Sequence, residues 1–408
     1  MALEFFRQTA DFIADSWISP HSQRPLLAVA GASLTLGLAL GAIWSSENSH
    51  PSKIIPSPLK SLQSSPSEST AFPLDVLPGA RDVATPYGSI RVYEWGPEDG
   101  QKVLLVHGIS TPCLSLGGLA HALVDRGCRV MIFDLFGRGF SDYPADVPQD
   151  HRLFSTQILL ALASSPLSWT GASSGQFSLI GFSLGGGIAA AFASYFPNLL
   201  SSLTLLAPAG LLRASHIGWQ TRLLCAKGWF PEDIVSKLVK GRLKAGPLVS
   251  PKKHKDTDKD QTVGVEDALT EGLVASPNQV LSRAYPSLTT AASVNWQVEN
   301  HPGFVSAFIS SIRHGPILQK TELENWKRLG SFLSQRKDED DDTRIGLSHN
   351  KVLIALGETD NVIAKDDTVE DATAALEGNA HFIYFSIGHE FPSVEYDKLA
   401  NHLIEFWK

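Results

Sequence analysis

Cysteine is scarce: the 408 residues hold three, Cys113, Cys128 and Cys225. So small and odd a number builds no disulfide framework, and buried thiols in a reducing compartment are expected. Cys113 follows a His-Gly turn closely enough to line a site, although packing is the plainer expectation. Positive charge is also in short supply. Lys and Arg number 34 against 42 Asp and Glu, a formal net charge of −8. Phosphate backbones need a basic face, so no nucleic-acid partner is expected. No Asn stands in an Asn-X-Ser/Thr sequon, which fits a domain that never meets the glycosylation machinery. No internal repeat recurs at a fixed period, which argues against a solenoid. The remaining composition, 43% hydrophobic and 19% charged, is that of a packed globular chain.

Residues 26–44 read LLAVAGASLTLGLALGAIW without a charge. About 20 apolar residues suffice for a helix to cross a hydrocarbon core, so a transmembrane signal anchor is expected there. The leader before it carries Glu4, Asp11 and Asp15 beside Arg7 and Arg24, a poor match to a cleaved signal peptide or a mitochondrial presequence. Within residues 1–25, Leu3, Phe6, Ala10, Ile13 and Trp17 recur at helical spacing and form one apolar stripe. The expected placement is single-pass in a membrane. Flanking charge (Arg24 against Lys53 and Lys60) leans slightly toward a cytosolic C-terminal part. Residues 45–70 are rich in Ser and Pro and read as a linker.

From residue 71 to 408 the pattern changes to short apolar runs divided by turns and amphipathic stretches. Two alternating segments flank Tyr87-Gly88, a hairpin signature. Four-residue apolar runs follow at 103–106, 130–133, 177–180, 203–206, 352–355 and 382–385, suited to strands covered on both faces. Helical stretches such as 118–126 and 186–196 lie between them. Alternating strands and helices imply an α/β fold with a mostly parallel, eight-stranded sheet and helices on both faces. Between about 211 and 348 the strand rhythm stops, and helical stretches at 220–227, 233–243 and 303–313 predict a helical cap inserted after the sixth strand. The charged tracts 251–261 and 334–343 read as solvated loops.

Chemistry concentrates at four turns. Gly181-Phe182-Ser183-Leu184-Gly185 is a G-x-S-x-G pattern between a strand and a helix. A sharp turn there holds a serine in a strained conformation, with glycines making room for the backbone and a helix dipole aimed at the reaction centre. Ser183 is therefore the candidate nucleophile. His107-Gly108-Ile109-Ser110 follows the strand at 103–106. A Gly-containing turn can aim a backbone N–H at a developing oxyanion, and the amides of Ile109 and Leu184 are the expected donors. His107, Gly108 and Ser110 are candidates for lining the substrate, with His107 more structural than basic in character. Gly357-Glu358-Thr359-Asp360 follows the strand at 352–355, and Asp360 is the expected carboxylate, with Glu358 the alternative. Gly388-His389 follows the last strand and supplies the general base. No metal and no cofactor is expected.

In this order of motifs the chain resembles the α/β-hydrolase superfamily over about residues 80–408. Asp134-Leu-Phe-Gly137-Arg138-Gly139-Phe-Ser141 is similar to that family's D-x-x-G-x-G-x-S stretch, which implies a structural turn and not a catalytic Asp134. The resemblance implies a triad of Ser183, Asp360 and His389. The layout is similar to membrane-anchored monoacylglycerol hydrolases and, in the compact core, to meta-cleavage C–C hydrolases. Ser183 argues against dehalogenases and epoxide hydrolases, which carry Asp at that position. The expected activity is hydrolysis of a carboxylic ester, lipid-like or small and hydrophobic, through an acyl-enzyme. C–C hydrolysis, thioester cleavage and acyl transfer are alternatives on the same fold, and a non-catalytic binding protein is the alternative from another class.

Overall fold

The computed structural model describes residues 53–64, 72–171, 175–216, 232–244, 279–336, 346–347 and 349–408. The chain divides into two compact units, Met1–Lys53 and Ile54–Lys408. The second unit is built on an eight-stranded sheet: β1 (Ala80–Thr85), β2 (Gly88–Trp95), β3 (Gln101–Val106), β4 (Cys128–Phe133), β5 (Phe177–Phe182), β6 (Leu200–Leu206), β7 (Val352–Gly357) and β8 (Ala380–Phe385). The strands lie in the order β8-β7-β6-β5-β3-β4-β2-β1. Every neighbouring pair from β8 to β4 is parallel, and β2 and β1 close one edge antiparallel.

The apolar runs become strands because both faces of the sheet are covered. Val103 to Val106, Val130 to Phe133 and Val352 to Ile354 are all removed from solvent. Such runs cannot alternate polar and apolar, since neither face meets water. The helices around them are α1 (Gly117–Asp125), α2 (His151–Ala163), α3 (Leu184–Tyr195), α4 (Glu232–Lys244), α5 (Thr290–Asn300), α6 (Phe304–His314), α7 (Gln319–Gln335), α8 (Lys365–Ala375) and α9 (Tyr396–Phe406). Helices α4 to α7 occupy the interval between β6 and β7, where a helical cap is expected. The last of them, α7, packs against α3 and α8, in the layer beside the sheet. The expected cap at about 211–348 therefore includes one helix of the central layers.

Register explains how the sheet builds a site. Val106 lies opposite Gly181, Phe182 opposite Leu206, Leu206 opposite Ala355, and Gly357 opposite Phe385. The parallel strands β3, β5, β7 and β8 thus end along one rim. The turns that follow them carry His107, Ser183, Asp360 and His389.

Two expectations need correction. The single-pass membrane placement is not borne out, because no helix among the described residues is long and apolar enough to cross a membrane. The segment 26–44 on which it rested lies outside the described residues, as do the stripe in 1–25 and the tract 251–261. The expected linker 45–70 contains a docked piece. Ile54 and Ile55 pair antiparallel with Pro144 and Tyr143, and the Ser57 N–H donates to Asp142 Oδ1 at 2.8 Å. Leu59 is buried. Apolar residues between the prolines supply the area that a pure Ser/Pro tract lacks. Cys113 and Cys128 are buried and unpaired, as their scarcity implied.

Candidate active site

Ser183 sits between the end of β5 and the start of α3 with φ 53° and ψ −116°. A non-glycine residue in this region is strained by about 1–3 kcal/mol, so its surroundings must impose it. They do so from two sides. The Ser183 N–H donates to Leu206 O at 2.9 Å, and Ser183 O accepts from Ala209 N at 2.9 Å and from Gly186 N at 2.9 Å. The flanking glycines are obligatory for space. A Cβ at Gly185 would collide with the carbonyl oxygens of Val106 and His107, and one at Gly181 with the carbonyl of Gly185. Ser183 itself is 5% exposed.

Asp360 and His389 meet directly. The His389 Nδ1–H donates to Asp360 Oδ2 at 2.7 Å. Asp360 Oδ1 accepts from the N–H groups of Val362 and Ile363 at 2.7 and 2.9 Å, so the carboxylate is fixed by its own turn. The two side chains are 6% and 1% exposed, a buried pair. Glu358, the alternative carboxylate, is exposed. The His389 ring lies beside the elbow, its centroid 5.0 Å from that of Phe182. A Cβ at Gly357 would meet Ile387 O and Gly388 O at 2.6 Å, so β7 and the His389 turn approach at backbone contact.

The turn after β3 is fastened by side chains. His107 is fully buried, with Nδ1 2.8 Å from Gly108 O and Nε2 2.8 Å from Leu135 N. A carbonyl only accepts and an amide N–H only donates, so the proton is on Nδ1. Burial, then the nearby Arg138 cation, lowers the His107 pKa to about 3, and the ring is neutral. Both ring nitrogens of His107 therefore serve the backbone. Gly108 O and Ile109 N–H lie on opposite sides of one trans peptide. The His107 bond to that carbonyl therefore turns the Ile109 N–H the other way. Leu184 is the first residue of α3, where helix geometry leaves the N–H without an intrahelical acceptor. Ser110 is buried, and its hydroxyl has no partner among the described residues.

The stretch 134–141 is a structural turn built around buried polar groups. Asp134 accepts from Cys113 N at 2.9 Å and Phe140 N at 3.0 Å, and burial raises its pKa. Arg138, absent from the expected site, is fully buried and donates only to neutral oxygens. Burial lowers its pKa to about 9. Its place in the D-x-x-G-x-G-x-S stretch was visible in the sequence, but nothing there distinguished a buried arginine from a solvated one.

A strained serine at a strand–helix turn, beside a buried Asp–His pair at the rim of a mostly parallel sheet, defines a class of hydrolytic folds. The profile described as "Alpha/beta hydrolase family" matches residues 103–401. The chain belongs to the alpha/beta hydrolase family. A serine hydrolase-like protein of Dictyostelium discoideum is 31% identical over 137 residues, 31% of this chain and 36% of that protein. One from Danio rerio is 29% identical over 127 residues, 31% of this chain and 37% of its own. The chain thus spans little more than a third of the length of these curated relatives. Among solved structures, a membrane phospholipase A aligns over 93% of this chain and 96% of its own, with TM-score 0.51 and 18% identity. A carboxylesterase from Bacillus subtilis aligns over 86% and 97%, with TM-score 0.51 and 15% identity. Likeness at that identity is likeness of fold.

Proposed function

We propose that the protein is a serine hydrolase that cleaves a carboxylic ester of a small hydrophobic acyl group through an acyl-enzyme. Ser183 Oγ attacks the carbonyl carbon and gives its proton to His389 Nε2. Asp360 holds the imidazole in the Nδ1–H tautomer and stabilises its charged form. The tetrahedral oxyanion is held by the N–H groups of Ile109 and Leu184, a pair of donors of which each is typically worth ~3–4 kcal/mol. The intermediate collapses, and His389 returns the proton to the leaving alkoxide. Water then repeats the sequence on the acyl-enzyme and frees the acid. Phe182 and Leu184 flank the nucleophile in the chain, and both, like Ile109, are buried apolar residues, which favours an apolar acyl group.

The observations that carry this reading are the buried 2.7 Å bond between His389 and Asp360 and the elbow serine at φ 53°. Both cost stability unless the surroundings are built to hold them, and such strain clusters at reactive sites. The test is hydrolysis of p-nitrophenyl butyrate by wild type and Ser183→Ala. Turnover is expected to fall by ~10⁶ if the triad acts as a unit. Equal turnover in the two proteins overturns the assignment.

A further inference from the structure

Three consecutive carbonyls of the turn after β3 are each held by a different buried side chain. Gly108 O accepts from His107, Ile109 O accepts from Arg138 Nε at 3.1 Å, and Ser110 O accepts from Gln297 Nε2 at 3.1 Å. Surface turns usually leave such groups to water. Two of the three holders lead to the helices between β6 and β7. Gln297 belongs to α5, and its Oε1 also accepts from Gly139 N at 2.7 Å. Arg138 Nη2 donates to Ser311 Oγ of α6 at 2.8 Å. The outer edge of one guanidinium thus bridges the turn and the cap, using the fixed fork geometry of arginine. His301, just after α5, adds a bond from Nε2–H to Ser141 O at 2.9 Å. Gln297, Arg138 and Ser311 are all fully buried.

Arg138 has no carboxylate among its bonded partners, although burying an unpaired cation is costly. A sequence selected for stability alone would be served as well by an apolar side chain. What the cation supplies is direction, because one rigid fork holds the carbonyls of Ile109 and Phe136, the Gln149 amide oxygen and the Ser311 hydroxyl.

We propose that Gln297 and Arg138 are positioning residues for the oxyanion donor at Ile109, so that the cap helices α5 and α6 form part of the oxyanion machinery. The proposal rests on the functional reading above, in which Ile109 N–H stabilises the tetrahedral intermediate. Fixing the carbonyls of residues 108, 109 and 110 leaves the backbone at Ile109 no freedom to turn its N–H away. With the cap displaced, the Gln297 restraint on Ser110 O is lost and Arg138, which holds Ile109 O, loses its bond to Ser311.

The experiment measures kcat and KM on p-nitrophenyl butyrate for wild type, Ser183→Ala, Gln297→Met, Arg138→Lys and Ser311→Ala. The same proteins are titrated with a trifluoromethyl ketone, whose adduct with Ser183 carries an oxyanion. For Gln297→Met, kcat is expected to fall ~10- to 100-fold, less than loss of the donor itself, with KM changed by less than about threefold. Affinity for the ketone falls in step with kcat. Arg138→Lys keeps the charge but not the fork, and shows the same pattern. Ser311→Ala removes one bond from a folded helix and carries the readout should Gln297→Met fail to fold. Its kcat falls by a smaller factor of ~3–10. Turnover that does not depend on Ser183 removes the functional reading and this inference together. Turnover that depends on Ser183 but keeps kcat and ketone affinity in the folded variants, or loses only KM or thermal stability, overturns the inference alone.

Discussion

At the scale of the residue, each group at the rim has one task set by its hydrogen bonds. Asp360 is divided between its own turn and His389, one oxygen for each. Asp360→Asn can keep the two backbone bonds through its carbonyl oxygen but presents an amide N–H to His389 Nδ1, which forces the wrong tautomer. Its kcat is expected to drop by ~10⁴ with little change in thermal midpoint. Steady-state kinetics beside a melting curve checks both parts. His107 answers to the backbone alone. His107→Ala strands Leu135 N–H and Gly108 O in a buried site, and a loss of ~2–4 kcal/mol in denaturant unfolding is expected. The strand-end positions of Ser183, Asp360 and His389 were legible in the sequence because each follows an apolar run and has a glycine within three residues. Gln297 was not, because nothing in a glutamine on a helix announces that both ends of its amide will be used. The use of His107 was only half visible: its position was clear, but both of its acceptor and donor partners come from turns distant in sequence or folded back on themselves.

Secondary-structure elements converge on the site through close contact. Helix α3 opens with Leu184-Gly185-Gly186-Gly187, a poor helix former by propensity. It is tolerated because its first turn lies against the backbone at the ends of β3 and β6. Gly185→Ala would drive a methyl group into two carbonyl oxygens and is expected to cost at least ~2 kcal/mol, together with most of the activity. Chemical denaturation measures the first and esterase assay the second. The strands of the parallel sheet were readable because doubly covered strands have no polar face to blur the run. Helices α5 and α7 were not read. Trp326, Leu329 and Leu333 give α7 a narrow buried stripe among charged and polar residues, and that stripe is clear only once α3 is known to lie against it. The pairing of Ile54 and Ile55 with residues 143 and 144 was hidden in the same way, since two residues make no periodic signal.

For the molecule as a whole, acid is the expected weakness. His107, His121 and His301 are buried, and burial lowers their pKa values from 6.5 to about 3, about 4 and about 4. The folded state keeps them neutral, while the unfolded chain takes up protons below about pH 6.5. The unfolded state then binds more protons, so the stability these groups contribute is present above about pH 6.5 and is lost as pH falls toward 4. Each contributes a slope of up to ~1.4 kcal/mol per pH unit in that window. His301 joins the end of α5 to Ser141 and accepts from Gly303 N at 3.1 Å. Protonation there would loosen the cap together with the core. Melting curves between pH 7.5 and 5 should show a falling midpoint, and an unchanged midpoint would refute the neutral assignments.

The central claim is that one hydroxyl, at position 183, is made reactive by the buried pair formed by His389 and Asp360. Its most direct test is intact-protein mass spectrometry after treatment with a fluorophosphonate, followed by peptide mapping of the adduct. A single adduct on Ser183, formed quickly in wild type and lost or greatly slowed in His389→Ala and Asp360→Ala, is the predicted result. Labelling that spreads over several serines, or that proceeds at the same rate without His389, would contradict the account.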